Sequence, residues 1–226
     1  RFIPGLYWNC RAVTAHQISE IHRELMSKPL RVFPSNLSTQ KILGNALRPE
    51  DAEQDYIKSN NYYQWYYTIG WAVQPIVIAE FGVRYGYSLV ALCRGARSVF
   101  TSFPLPSVLG WDAETDVAGS NTIATENLCG LVHDVSIVKA STSGLVNADL
   151  PIRIADIVHI DADHSIKGVK QELRLAGTLH KRRGWILVDD TEVGYIADAV
   201  VDFAESNDYS FQELPTLRGM MILRLN

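Results

Sequence analysis

The stretch Asp156-Ile157-Val158-His159-Ile160-Asp161-Ala162-Asp163-His164-Ser165 decides the fold. Its first half is apolar and β-branched, as in a buried strand, and its second half brings three ionisable residues within four positions. In an open α/β sheet, ligands bind beyond the carboxyl ends of parallel strands, so acidic groups at that point line a site. The stretch therefore predicts a central strand that ends in a functional site.

A second run of the same shape follows, with the apolar residues Trp185 to Val188 and then Asp189 and Asp190. The residues between the two runs carry apolar side chains at helical spacing: Ile166, Val169, Leu173, Ala176 and Leu179. The segment is thus predicted to be a βαβ unit with two parallel strands. Both strands deliver ionisable groups to one edge of the sheet: Asp161, Asp163, His164, Asp189 and Asp190.

These acid and imidazole groups repel one another unless a positive group joins them. Oxygen ligands from Asp161, Asp189 and Asp190 suit a hard divalent cation such as Mg²⁺, which leaves coordination positions open for water or substrate. The alternative is that some of these residues, Asp163 and Asp190 in particular, only cap the helices that follow.

Composition indicates an ordinary soluble α/β protein. The chain has 226 residues and a net charge of −4, with acids and bases mixed, which argues against a nucleic-acid partner. No segment is typical of a membrane span or a secretory signal. The three cysteines, Cys10, Cys93 and Cys129, lack a CxxC spacing and fit a reducing, cytoplasmic compartment without zinc. The basic run Lys181 to Arg183 is predicted to be an exposed turn before a strand.

The first part of the chain lacks the strand and helix alternation of the rest. Ile18, Ile21, Leu25 and Met26 predict an amphipathic helix that ends near Pro29. The aromatic segment Tyr62 to Trp71 either packs over the sheet or contributes to a substrate pocket. We therefore expect a helical cap or substrate segment over residues 1–74 and a ligand-binding domain over residues 75–226.

From Pro75 the pattern becomes strand, glycine turn and helix. Ile76 to Phe81 predicts a buried strand, Gly82 to Gly86 the turn, and Tyr87 the beginning of a helix. The Gly-x-x-x-Gly spacing is neither that of dinucleotide-binding folds nor that of a P-loop. A nucleoside ligand without a pyrophosphate remains, with Glu80 near its charged or hydroxylated part.

The run Glu80-Phe81-Gly82-Val83-Arg84-Tyr85-Gly86-Tyr87-Ser88 resembles the first motif of class I S-adenosylmethionine-dependent methyltransferases, in the E-x-G-x-x-x-G-Y-S form of metal-dependent O-methyltransferases. Residues 160–164 and 188–190 are similar to later motifs of these enzymes, particularly of the macrocin and sugar O-methyltransferase branch. The resemblance covers Ile76 to Asn226. It implies a Rossmann-like α/β fold with a mostly parallel seven-stranded sheet, closed by an antiparallel hairpin that the strand patterns 209–214 and 219–225 also predict.

The resemblance also implies a cofactor site. Gly82, Tyr85, Gly86 and Ser88 would shape the end that binds the methionine part of S-adenosylmethionine, and Glu80 would support their loop. The acid that binds ribose hydroxyls in the family is missing after residues 98–103, so Asp112, which follows the run Ser107 to Trp111, is the better candidate. Ser141 would contact the adenine side, although Ala140 stands where an acid is common. Asp161 would face both the cofactor and the metal.

The family assigns Asp161, Asp189 and Asp190 to the metal and offers His164 or Asp163 as the base, while His159 is expected to be buried and structural. The predicted activity is metal-assisted methyl transfer to a hydroxyl of a small molecule. A homo-oligomer is an option, because helical N-terminal additions often pack between subunits. Two alternatives stay open: a metal-independent O- or N-methyltransferase, and a non-catalytic binding module on the same fold.

Overall fold

A seven-stranded sheet organises the residues that the structure, a computed structural model, describes: 14–26, 63–99, 104–115, 118–147, 150–216 and 218–226. The strands are β1 (Val77–Phe81), β2 (Ser107–Asp112), β3 (Asp134–Lys139), β4 (Ala155–Ile160), β5 (His180–Asp189), β6 (Tyr209–Leu214) and β7 (Met220–Leu225). Their order is β3-β2-β1-β4-β5-β7-β6. Strand β7 is antiparallel to both of its neighbours, and the other pairs are parallel. The predicted sheet and its C-terminal hairpin are confirmed.

Helices cover both faces of the sheet. They are α1 (Ala15–Met26), α2 (residues 63–73), α3 (Tyr87–Val99), α4 (Ser120–Leu128), α5 (Ile166–Leu179) and α6 (Gly194–Ser206). One apolar core lies between the sheet and the four helices α1, α2, α3 and α4, and it includes Ile18, Ile69 and Leu89. The second core joins α5 and α6 to the opposite face through residues such as Leu173 and Val200. The sheet is therefore the middle layer of three.

Helix α5 begins and packs as its sequence predicts. The Ser165 hydroxyl caps its first turn by accepting a hydrogen bond from Gly168 N at 3.0 Å. Val169, Leu173, Ala176 and Leu179 are all buried against the sheet. Ile166, the first residue of the predicted apolar face, is instead half exposed at the end of the helix that lies near the carboxyl end of β4.

The strand order places the end of β1 at the centre of a crevice. The chain moves from β1 outward to β2 and β3 and then returns to the other side of β1 with β4, which makes a switch point between β1 and β4. In the register, Phe81 pairs with Ile160, and Ile160 pairs with Val188. The residues that come directly after these three paired positions, Gly82, Asp161 and Asp189, therefore meet at one edge.

The run Lys181 to Arg183 lies in a strand, and the run 98–103 begins in a helix. The basic run Lys181 to Arg183 does not form a turn, since β5 begins at His180 and pairs with Ala155 of β4, so that prediction was wrong. Its Arg182 and Arg183 are exposed, as expected. Residues 98 and 99 belong to α3, and residues 100–103 lie outside the described part of the chain.

The N-terminal part is described only in pieces. Helix α1 confirms the amphipathic helix predicted around Ile18 and Ile21. Cys10, Pro29 and Tyr62 lie outside the described residues. The division at residue 74 stays a prediction. Within the described ranges, no helix combines the length and the apolar character needed to cross a membrane.

Candidate functional site

The turn after β1 lies directly against the end of β4. Gly82 N donates to Trp111 O at 2.9 Å, and Asp161 N donates to Phe81 O at 2.9 Å. Gly82 has a φ of 85°, and a Cβ atom there would lie 2.0 Å from the carbonyl oxygen of Asp161. Only glycine fits this close approach, which brings the predicted cofactor turn onto the acidic segment.

A cavity of about 360 Å³ opens at this edge of the sheet. Loops that follow β1, β2, β3 and β4 contribute to its wall, which includes Gly82, Arg84, Asp112, Ser141, Asp161, Asp163, His164 and Arg218. Four predicted cofactor residues are thus brought together, while Glu80, Tyr85 and Gly86 are buried outside this wall. A larger cavity of about 620 Å³ lies at the opposite end of β5 beside Arg182 and Trp185, away from the acidic residues.

Asp112 is fixed by the two loops that it joins. Its Oδ2 accepts a hydrogen bond from Arg84 N at 2.7 Å, and its Oδ1 accepts one from Glu114 N at 2.6 Å. A carboxylate oxygen can accept more than one hydrogen bond, so both atoms remain able to accept from a ligand. Asp112 ends β2, which is the position that the family resemblance requires for the ribose-binding acid.

Asp161 stands at the centre of two groups of potential metal ligands. One group combines it with His159 and Asp189, and the other with His164 and Asp190. Within each group the ligand atoms lie within 4.8 Å of one another. Asp189 and Asp190 therefore both lie next to Asp161, the third aspartate predicted to bind a metal. The imidazoles of His159 and His164 lie beside them.

Successive residues of a strand normally point to opposite faces of the sheet, yet Asp189 and Asp190 both lie close to Asp161. Asp190 has a left-handed backbone with a φ of 55°, which bends the chain directly after β5. Its N–H donates to Asp189 Oδ1 at 2.8 Å. This bend, which aspartate tolerates better than most residues, accompanies the approach of both carboxylates to Asp161.

Burial separates the properties of these two carboxyls. The Asp189 side chain is almost fully buried, and burial together with the charge of Asp190 raises its pKa to about 8. A hydrogen bond from His164 and the charge of Arg218 lower the pKa of Asp190 despite its partial burial. A cation beside Asp189 would therefore favour the charged form of its carboxyl, whereas Asp190 already lies beside two cationic groups, His164 and Arg218.

His164 is held between two carboxylates. Its Nε2 lies 2.8 Å from Asp190 Oδ2 and 3.4 Å from Asp161 Oδ1. Hydrogen bonds to Asp161 and Asp190 raise the pKa of His164 to about 10, so in this arrangement the ring is an imidazolium at neutral pH. Tyr195 fixes the same loop, because its hydroxyl donates to His164 O at 2.9 Å.

Asp163 takes part in the beginning of α5. Its Oδ1 accepts a hydrogen bond from Ser165 N at 2.9 Å, and its carboxylate packs against Gly168, where an added Cβ would lie 2.1 Å from Asp163 Cγ. These contacts agree with the alternative that Asp163 serves the helix terminus. Asp163 is nevertheless one of the residues that line the cavity, and its role as the base stays a prediction.

Sequence reasoning missed a buried acid next to this loop. Glu172 of α5 is fully buried, and its Oε1 accepts hydrogen bonds from Thr142 Oγ1 at 2.5 Å and from Asp163 N at 3.1 Å. Burial raises the pKa of Glu172 to about 7, although both hydrogen bonds act in the opposite direction. Glu172 therefore ties the loop after β3 to the loop after β4.

A second buried network supports the turn after β1. Glu80 Oε1 accepts hydrogen bonds from Ser88 Oγ and from His159 Nδ1, the latter at 2.5 Å. His159 Nε2 in turn lies 2.8 Å from the hydroxyl of Tyr66. The expectation that His159 is buried is confirmed, and its partners are the predicted cofactor residue Glu80 and a tyrosine of α2.

The sheet order, the glycine turn after β1 and the acidic strand ends define a class I methyltransferase fold. Residues 79–191 match the family described as "Methyltransferase domain", and the chain belongs to that family. This confirms the class of protein expected from the sequence. No curated protein matches the chain in sequence.

Several solved structures share the fold. The methyltransferase PaMTH1 of Podospora anserina, bound to SAH, has a TM-score of 0.64 and 16% identity, over 95% of this chain and 97% of that one. An O-methyltransferase from Bacillus cereus, in complex with SAH, has a TM-score of 0.56 and 15% identity, over 95% and 93% of the two chains. TomG of Streptomyces achromogenes, an O-methyltransferase of tomaymycin synthesis in complex with SAM, has a TM-score of 0.58 and 15% identity, over 92% and 96%.

Proposed function

We propose that the enzyme transfers the methyl group of S-adenosylmethionine to a hydroxyl oxygen of a small molecule, with the help of a divalent cation such as Mg²⁺. The observation that carries this proposal is the meeting of Asp189 and Asp190 around Asp161, at the edge of the cavity that Gly82 and Asp112 line. A metal-binding edge and a nucleoside-sized cavity that share Asp161 suit a donor and an acceptor that must be aligned.

The donor part of the proposal rests on the cavity and on the relatives. Asp112 offers carboxylate oxygens to ribose hydroxyls, and Gly82, in the wall of the same cavity, holds the turn after β1 against Asp161. Ser141, in the wall of the same cavity, is proposed for the adenine side. The structures that share the fold include proteins described as bound to SAH or SAM, which supports the same cofactor here.

The metal part rests on the chemistry of the ligand set. Asp161, Asp189 and Asp190 supply carboxylate oxygens, which are the ligands that Mg²⁺ prefers. Asp189 is buried beside Asp190, and a cation bound there would favour the charged form of the Asp189 carboxyl. When bound there, a divalent cation would hold the acceptor oxygen and lower its pKa.

The base is proposed to be His164 or Asp163. In the arrangement described, His164 is protonated because it serves as the partner of Asp161 and Asp190. If those carboxylates bind a cation instead, His164 loses the interactions that raise its pKa, and its Nε2 can then accept the proton of the acceptor hydroxyl. Asp163 has its own hydrogen bonds at the beginning of α5, so we place His164 first.

One observation favours a second candidate, a methyltransferase that works without metal. Asp190 already has two cationic neighbours, His164 Nε2 at 2.8 Å and Arg218 Nη1 at 3.6 Å. In that case the carboxylates would bind a cationic or polyhydroxylated acceptor, and nitrogen could be the atom that is methylated.

Calorimetric titration separates the two candidates. S-adenosylhomocysteine is titrated into the protein in the presence of Mg²⁺ or of excess chelator, and Mg²⁺ is titrated in a separate experiment. We expect S-adenosylhomocysteine to bind in both solutions, and Mg²⁺ binding to disappear in Asp189→Asn but not in the exposed control Asp198→Asn. Mg²⁺ binding that is equal in both variants, or absent from the wild type, would contradict the metal site. Absence of S-adenosylhomocysteine binding would contradict the cofactor.

The acceptor is proposed to be a small molecule, without nucleic acid or membrane partners. Residues 1–74 are proposed to cover it, because α2 approaches the acidic edge: the Tyr66 hydroxyl on this helix lies 2.8 Å from Nε2 of His159, two residues before Asp161.

A further inference from the structure

We propose that Tyr66 and His159 are positioning residues of the cofactor site, which act by holding Glu80 and, through it, Ser88 and the turn after β1. The inference rests on the proposed function, since it assumes that this turn binds S-adenosylmethionine.

A continuous chain of hydrogen bonds links neighbouring strands to the helices on one face of the sheet. It runs from the Tyr66 hydroxyl to His159 Nε2 at 2.8 Å, and from His159 Nδ1 to Glu80 Oε1 at 2.5 Å. Ser88 Oγ donates to the same oxygen of Glu80. The chain thus joins α2, β4, β1 and the first turn of α3.

These polar groups are buried beside an apolar core. Tyr66, His159 and Glu80 have no exposed surface, and Tyr66 belongs to the same apolar core as Ile69 and Leu89. Polar groups in such a place are costly unless every partner is in position, so they favour one arrangement of the surrounding elements. His159 Nδ1 and Glu80 Oε1 are 2.5 Å apart, so the position of each group depends on the position of the other.

The position of Glu80 depends on this chain. Among the described residues, no group hydrogen-bonds to Glu80 Oε2, so His159 and Ser88 alone fix the carboxylate through Oε1. Glu80 precedes the turn at Gly82 by two residues, and Ser88 follows it in the first turn of α3. A change in the carboxylate therefore alters both sides of the turn.

Tyr66 also lies on the helix that approaches the acidic edge. Tyr63, one turn earlier in α2, packs against Tyr66 with ring centroids 6.3 Å apart, and against Tyr87 at the same distance. The ring of Tyr66 meets the ring of His159 edge-on, with centroids 5.0 Å apart. The hydroxyl of Tyr66 thus links α2 through His159 to Glu80, which supports the cofactor turn.

The chain offers a matched control for this hydroxyl. On the other face of the sheet, Tyr209 and His180 form the same kind of buried pair, with Tyr209 OH 3.0 Å from His180 Nε2. Tyr66→Phe and Tyr209→Phe each remove a tyrosine hydroxyl that hydrogen-bonds to a buried histidine. Each should lower Tm by roughly 2–6 °C, because one buried hydrogen bond is lost. Only the first change touches the partners of Glu80.

The test measures the Kd of S-adenosylhomocysteine by calorimetry in the full chain. We expect the Kd to rise about 5-fold in Tyr66→Phe and to stay at the wild-type value in Tyr209→Phe. His159→Asn keeps a donor near the position of Nδ1 and should match Tyr66→Phe, whereas His159→Leu removes the donor and should raise the Kd further. These two variants also test the proposal if Tyr66→Phe does not fold.

The possible results are distinct. Equal Kd values for the wild type, Tyr66→Phe and His159→Asn, with lowered Tm, would overturn the positioning role and leave a structural one. Similar losses of affinity in Tyr66→Phe and Tyr209→Phe would overturn it as well. A wild-type protein that does not bind S-adenosylhomocysteine would overturn the proposed function and this inference together.

Discussion

The buried carboxyl of Glu172 should make the stability of the protein depend on pH in a predictable direction. Its Oε1 accepts from Thr142 Oγ1 and from Asp163 N. Among the described residues, no donor reaches its Oε2. Replacement by glutamine keeps an oxygen for the two donors and removes the group that ionises. The change Glu172→Gln therefore isolates the cost of a buried charge.

The magnitude follows from the pKa. Burial raises the pKa of Glu172 from 4.5 to about 7, so the folded state holds a proton that the unfolded state has released. The stabilisation from this proton is complete below pH 4.5 and is lost as the pH rises through 7. At about 1.4 kcal/mol for each pH unit, the total is about 3 kcal/mol. Relative to the wild type, Glu172→Gln should thus gain about 3 kcal/mol between pH 4.5 and pH 8.

The measurement is urea denaturation, followed by tryptophan fluorescence at pH 5, 6, 7 and 8, on the wild type and both variants. The control Glu205→Gln changes an exposed glutamate of α6 and should follow the wild-type curve throughout. The quantity of interest is the difference in free energy of unfolding between variant and wild type. A difference for Glu172→Gln that is the same at pH 5 and pH 8 would refute the reasoning.

Three further changes test the frame of the site. Gly82→Ala should lower the free energy of unfolding by about 2–4 kcal/mol in the urea assay, because the new Cβ meets the backbone of Asp161. Its control, Gly119→Ala, has an equally positive φ but open space around the Cβ and should lose about 1 kcal/mol. Equal losses in the two variants would contradict the close approach of Gly82 to Asp161. Asp112→Ala should weaken S-adenosylhomocysteine binding about 10- to 100-fold in calorimetry, and an unchanged Kd would remove Asp112 from the cofactor site. Asp156→Ala removes the acceptor of two backbone N–H groups at the beginning of β1 and should lower stability by about 1–3 kcal/mol without changing that Kd; a changed Kd would show that the two ends of β1 are coupled.

The central strands could be predicted from the sequence because each is an apolar run that ends at a glycine or at acidic residues. The runs before Gly82, Asp161 and Asp189 are buried on both faces and read as continuous apolar segments, which is typical of central parallel strands. The position of Asp112 at the end of a strand was expected from the family resemblance, which places an acid there, and its role in the cofactor site stays a prediction. The start of β5 could not be predicted, since Lys181 to Arg183 resemble a turn, and only pairing with Ala155 of β4 extends the strand.

The buried networks were harder to predict, because they depend on contacts between distant segments. Glu172 lies three residues after Val169 and four before Ala176, so helical spacing did place it on the buried face of α5. The donors to its carboxylate could not be deduced, since Thr142 lies 30 residues away. The same holds for Tyr66 and His159, which are 93 residues apart.

The left-handed backbone of Asp190 restricts which residues can occupy that position in any redesign of the enzyme. A substitute must tolerate a φ of 55° and still present an oxygen toward Asp161. Glycine meets the first condition only, and glutamate meets the second at a backbone cost of about 1–2 kcal/mol. Asparagine meets both, which makes an aspartate followed by Asp or Asn, directly after a buried strand, the signature to search for in unfamiliar sequences.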